Sequence, residues 1–144
     1  MAISAKITGR FGGVGYINSF IKTGNIANYY AGMAYLNTGK FDKAIEFLSK
    51  FSADDKILKP IAIGAIGDAH AQKNQLKEAL EFYVKAAEAD KNEMTTPIYL
   101  LKAGKVALAL KDKTEALKFF TDIKENYEAS AEAQGIDALI GLSQ

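Results

Sequence analysis

The chain repeats itself. Three segments, FDKAIEFLSKF (41–51), LKEALEFYVKA (76–86) and KTEALKFFTDI (113–123), align on Ala44, Ala79 and Ala116, so successive units lie 35 and 37 residues apart. Each follows a stretch rich in small residues: NIANYYAGMAYLNTG, PIAIGAIGDAHAQKN and PIYLLKAGKVALALK. A period in this range marks a stacked helical array, because one such unit cannot bury its apolar face alone. In 41–51, Asp42, Lys43, Glu46, Ser49 and Lys50 make one solvent stripe, opposite Phe41, Ala44, Ile45, Leu48 and Phe51. The second unit repeats this, with Lys77, Glu78, Glu81, Lys85 and Glu88 outside and Leu76, Ala79, Leu80, Tyr83 and Ala87 inside. Glu46–Lys50 and Glu81–Lys85 are i,i+4 pairs in the favourable orientation, so these charges read as a solvated face.

Punctuation marks the units. Pro60 and Pro97 each stand at the start of a first helix, where a missing N–H costs nothing, and Thr96 is placed to cap the second of these. Gly39 and Asn74 separate the two helices of their units and tolerate a left-handed conformation. Turns this short force each helix pair to lie antiparallel. Glycine inside a helix costs roughly 1 kcal/mol against alanine. The recurrence of Ala31–Gly32, Gly67 and Ala103–Gly104 at one register therefore implies close helix crossing. The expected fold is all-α: one domain, an α-α superhelix of three helical hairpins. It divides into an N-terminal segment (1–24), hairpins at 25–58, 60–93 and 97–130, and a C-terminal capping helix within 131–144. Ser130 is placed to cap that last helix over about 131–142, with Ile136, Leu139 and Ile140 on its apolar face.

Composition excludes most chemistry. Eighteen Lys plus Arg against 17 Asp plus Glu leaves a net charge of +1, without the basic excess of a nucleic-acid binder. Zero cysteines remove disulfides, thiolate zinc sites and cysteine nucleophiles together. The one histidine, His70, occupies the slot held by Tyr35 in unit one and Ala107 in unit three, and reads as a core histidine with a satisfied hydrogen bond. Asp68 is two residues away, on another helix face, and completes no dyad with it. GRFGGVG (9–15) has no preceding strand, no GK[ST] and no GxGxxG spacing, so it reads as an irregular segment rather than a phosphate loop. Asp54–Asp55 stand in an inter-repeat turn and lack the separate environments acid–base partners need. No catalytic residue, cofactor or metal is expected. MAISAKITGR has no apolar run of signal-peptide length, and no stretch approaches the roughly 18 apolar residues of a membrane span. The chain as given is expected to be soluble, with its compartment open, since the absence of cysteine fits cytoplasm and periplasm alike.

These alignment positions resemble the tetratricopeptide repeat (TPR), a 34-residue unit with small residues in the middle of its first helix and an alanine early in its second. Unit one matches best, through Ala31, Gly32, Tyr35, Gly39, Phe41, Ala44, Leu48 and Phe51. Unit two has Gly67, Leu76, Ala79, Tyr83 and Ala86, with His70 and Asn74 in place of the usual aromatic and glycine. Unit three keeps Ala103, Gly104, Ala116, Phe120 and Ile123, with Lys111 at the turn glycine and Lys113 where an aromatic is expected.

The resemblance implies a concave groove lined by positions 2, 5, 9 and 12 of each unit. Here these are Ile26, Tyr29, Met33 and Leu36; Ile61, Gly64, Asp68 and Ala71; and Ile98, Leu101, Lys105 and Leu108. A subset of the family grips a C-terminal carboxylate with lysine, asparagine and arginine in this groove. Tyr29 and Met33 occupy two of those positions, and the repeats contain no arginine, so that clamp is rejected. Eight of the twelve residues are large and apolar, and eight wet apolar side chains would exceed the usual patch on a soluble monomer. Something is therefore expected to cover them. One candidate is internal: part of 14–22, among Phe11, Val14, Tyr16, Ile17, Phe20 and Ile21, forming a helix that packs on unit one, partly inside the groove. The others are an apolar or amphipathic peptide helix and a second copy of the chain. The expected function is a non-catalytic protein-interaction scaffold, with a self-assembling structural module as the alternative. YYAGMAYLNTGKFDKAIEFL and the short closing helix also resemble the bacterial ancillary-translocon (YfgM-like) type. That likeness implies a soluble body after an N-terminal membrane anchor, an envelope role in protein handling, and a periplasmic or membrane-anchored location; otherwise the chain is cytoplasmic.

Overall fold

A computed structural model describes residues 14–144, with side chains from residue 23 onward. Seven α-helices run through them: α1 (Val14–Asn37), α2 (Phe41–Lys50), α3 (Leu58–Gln72), α4 (Leu76–Ala89), α5 (Thr96–Ala109), α6 (Lys113–Asn126) and α7 (Ile136–Leu142). Each packs on its neighbours in sequence, and α1 also touches α3. The result is an all-α helical-repeat superhelix in which α1, α3 and α5 alternate with α2, α4 and α6, with no strand among the described residues.

The three hairpin turns are built alike. Lys40, Gln75 and Asp112 each send their N–H back five residues, to the carbonyls of Tyr35, His70 and Ala107. Gly39, Asn74 and Lys111, one residue earlier, all take positive φ, at 77°, 58° and 64°. This is the double hydrogen-bonded helix stop that favours glycine. Lys111 adopts it without glycine's freedom, against a left-handed penalty of roughly 1–2 kcal/mol.

Helix crossings follow the small residues. A Cβ built on Gly32, Gly67 or Gly104 would collide with the side chain of Leu48, Tyr83 or Phe120 respectively. Those three residues stand four positions after Ala44, Ala79 and Ala116, each 0% exposed, so one residue pair closes every hairpin. The larger core cluster joins α4, α5 and α6 through Tyr83, Ala86, Tyr99, Ala103, Phe120 and Ile123, and Ile136 of α7 closes it. A smaller one joins α1, α2 and α3 through Leu48, Ala65 and Ile66, with Tyr29, Met33 and Leu36 against it.

Three expectations change. First, residues 14–22 are helical but continuous with 25–37. The 24 residues of α1 make one rod of about 36 Å, whereas the 10 of α2 span about 15 Å. Asn25 does not break the helix, because its amide bonds both the N–H and the carbonyl of Ser52 and so fastens the end of α2 to α1. The packing of residues 14–22 into the groove concerns side chains outside the described residues, as does the glycine run up to residue 13; Val14 and Gly15 belong to α1. Second, Thr96 does not cap α5. It is the first residue of the helix, and Asn92 builds the turn that precedes it, its Oδ1 accepting from the N–H groups of Met94 and Thr95, while the Thr96 hydroxyl accepts from the Asn92 N–H. Third, the closing helix over 131–142 is split. Ser130 caps a 3₁₀ turn, Ala131–Ala133, by accepting from the Ala133 N–H, and Gly135 at φ 75° redirects the chain into α7.

Candidate functional site

α1, α3 and α5 bring Leu36, Asp68, Ala71, Gln72 and Lys102 around one cavity of about 500 Å³, to which Asn37, Phe41 and Tyr83 also contribute. Of the expected groove residues, Leu36, Asp68 and Ala71 meet here. The others lie along the same helices. Tyr29 and Met33 are half-buried against the smaller core cluster, and Leu101 and Leu108 against the larger. Ile61 is half-buried and Lys105 exposed. Ile26 and Ile98, at 39% and 36% exposure, are the most open apolar members. The wall is thus less bare than eight apolar residues in sequence imply, because six of them are partly covered by the packing of α1 on α3 and of α5 on α4.

Gly64 is not an open groove position. It is buried beneath the Tyr99 ring, which a Cβ at Gly64 would overlap. Tyr99 stacks on Tyr83 with centroids 6.4 Å apart, and both rings lie under the Lys102 ammonium at 5.8 and 5.5 Å. Asp68 Oδ1 accepts from the Tyr83 hydroxyl and from Lys102 Nζ, both at 2.7 Å. Burial, then the hydrogen bond to Asp68 and its charge, push the Tyr83 phenol well above its ordinary value; burial, then the Asp68 charge, do the same to Tyr99. Both phenols stay neutral at physiological pH, and Tyr83 serves as a hydrogen-bond donor.

This cluster is what sequence reasoning missed. Lys102 falls at the register of Ala65 in α3, and a lysine where the preceding repeat holds a buried alanine needs a partner. Asp68, 34 residues earlier, is that partner, and the charge pair spaced by one repeat was the available signal. His70 has no part in it. Its Nδ1 lies 2.8 Å from Gln75 Oε1 and its ring stacks on Phe82 at 5.3 Å, a half-buried histidine with a hydrogen bond, as its slot implied. Asp55 stands just before α3, where hydrogen bonds from the N–H groups of Leu58 and Ile57 lower its pKa. Among the described residues no cluster of His, Asp and Glu is arranged to hold a metal, and no helix is long and apolar enough to cross a membrane.

Family models described as tetratricopeptide repeat match residues 27–55, 62–93 and 99–130, which is more than half of the chain. No curated protein matches it.

Proposed function

The chain belongs to the tetratricopeptide repeat family, and on that premise we propose that it is a non-catalytic scaffold whose concave groove holds an apolar client peptide. Repeats of this family generally mediate protein–protein contacts and are typically non-catalytic. The observation that carries the proposal is the convergence of three successive first helices on one cavity, apolar at Leu36, Phe41 and Ala71 and polar at Asp68 and Lys102. The two open isoleucines, Ile26 and Ile98, extend an apolar track away from it along α1 and α5. Ile26, Tyr29, Met33, Leu36, Ile61, Asp68, Ile98, Leu101, Lys105 and Leu108 form the wall that a client would touch. A bacterial envelope setting is supported by the likeness of YYAGMAYLNTGKFDKAIEFL to the ancillary-translocon type and by no relative.

The test is a fluorescence-anisotropy screen of the full chain against a panel of labelled synthetic peptides, apolar and charged. Binding by apolar members that Leu36→Asp and Leu101→Asp both weaken, in variants that keep the parent helicity, supports the groove. No binding across the panel, or binding indifferent to both substitutions, overturns it. A dimer that sediments with the groove closed and unreactive to an apolar dye would favour self-assembly instead.

A further inference from the structure

The groove cavity does not end at Phe41. It shares Gly39 and Phe41 with a second hollow of about 350 Å³ at the first hairpin turn, lined otherwise by Lys40, Asp42, Lys43 and Lys73. Lys40 and Lys43 are both exposed, and their ammonium groups lie 5.9 and 5.4 Å from the centre of one ring, that of Tyr35. The electron-rich face of that ring draws each cation and so keeps two like charges near one another. Neither lysine makes an ion pair among the described residues, while the carboxylates of the same helix are engaged elsewhere, Asp42 with Lys73 and Glu46 with Lys50. The hollow is left with three lysines against one aspartate.

The sign persists along this edge of the superhelix. The second turn adds Lys77 against Glu78, and the third adds Lys111 and Lys113 against Asp112, whose carboxylate accepts from the Glu115 N–H. At the opposite ends of these helices, the segments between hairpins carry Asp54, Asp55, Asp90 and Glu93 against Lys56 and Lys91. A chain leaving the cavity therefore meets positive charge at the turns and negative charge at the far end.

Resting on the proposed groove, we propose that its client carries side-chain carboxylates directly beside the apolar stretch, and that Lys40 and Lys43 receive them at the first turn. Apolar side chains fill the cavity against Leu36, Phe41 and Ala71, and the residues that follow lie over the adjoining lysines. Lysine suits this task, because a point charge on a flexible stem reads the charge of a flank without fixing its sequence. Charges at such a rim act mainly on encounter and on the choice of partner. Both lysines lie outside the twelve groove positions, so no chain terminus is needed.

The test uses the tightest apolar peptide of the panel, with both termini blocked, extended at one end or the other by a short glutamate, serine or lysine tail. Anisotropy with the full chain at low salt should show a glutamate-tailed form binding up to about tenfold tighter than its serine-tailed equivalent, the upper range for about two exposed charge pairs. That gain should shrink as salt is added. The double substitution Lys40→Gln and Lys43→Gln should remove it and leave the serine-tailed peptide bound as before. A glutamate tail that gains nothing over serine at either end overturns the inference while the groove stands, as does a gain that the double substitution leaves intact. Vesicles of anionic phospholipid that bind the chain through the same two lysines, with no gain from the glutamate tail, would overturn it in favour of a lipid surface. Failure of every peptide, tailed or not, overturns the groove and this inference together.

Discussion

Gly64→Ala separates two forces that point in opposite directions. Alanine in a helix interior is favoured over glycine by about 1 kcal/mol. The structure places the Tyr99 ring where the new methyl group would stand, its nearest atoms being Cε1, Cζ and the hydroxyl. That ring cannot retreat freely, since it stacks on Tyr83 and is only 6% exposed. Overpacking of this kind costs about 1–3 kcal/mol, so the net change is a loss of up to about 2 kcal/mol. Gly24 supplies the control: it too is inside a helix, α1, but with nothing within 4 Å of its Cβ position, so Gly24→Ala should stabilise by up to about 1 kcal/mol. Urea denaturation followed by circular dichroism measures both. A double-mutant cycle with Tyr99→Ala assigns the cause, because without the ring Gly64→Ala should become neutral or stabilising. Equal stabilisation by Gly64→Ala and Gly24→Ala would refute the claim that Tyr99 is seated on Gly64.

Other outcomes follow from particular residues. Lys111→Gly should raise stability by about 1 kcal/mol in the same urea assay, because it relieves a left-handed lysine at φ 64°. Asn92→Ala should lower it by about 1–2 kcal/mol, since Asn92 Oδ1 holds the N–H groups of Met94 and Thr95 in the turn before α5 and Nδ2 bonds the Thr95 hydroxyl and the carbonyls of Asp90 and Lys56. The raised phenol of Tyr99 binds its proton more tightly in the folded than in the unfolded chain. Its contribution is therefore complete below the unfolded value of 10.0 and is lost as pH rises above it. Stability measured against alkaline pH should fall less steeply for Tyr99→Phe than for the parent chain.

Much of the fold was legible because one pattern recurs three times. The alanines at 44, 79 and 116 and the glycines at 32, 67 and 104 are backbone-packing requirements, which a one-dimensional reading detects as spacing. The same reading gave His70 a hydrogen-bond partner, which it has in Gln75, but placed it in the core, where it is only half-buried. It failed where a side chain's duty depends on another repeat. Thr96 has the residue type of a cap, but the turn that Asn92 builds ahead of it starts the helix at Thr96 itself. The boundary expected between residues 24 and 25 does not exist, since α1 runs through it and Asn25 spends its amide on Ser52, 27 residues away. Gly64 sat at a groove register, and only the three-dimensional arrangement shows Tyr99 lying over it. The Asp68–Lys102 pair was missed for the same reason: a lysine at the register of Ala65 signals a partner, but only the folded arrangement of α3 and α5 shows that the partner is Asp68.

The groove is tested most directly by chemical-shift mapping of the backbone amides while the full chain is titrated with its tightest apolar peptide. A client in the groove should concentrate the shifts at Leu36, Asp68, Ala71 and Lys102, and along α1 and α5 towards Ile26 and Ile98. Shifts confined to the α2–α4 side, around Phe51, Ile63 and Phe82, would contradict it by placing the client in the cavity of about 520 Å³ on that side.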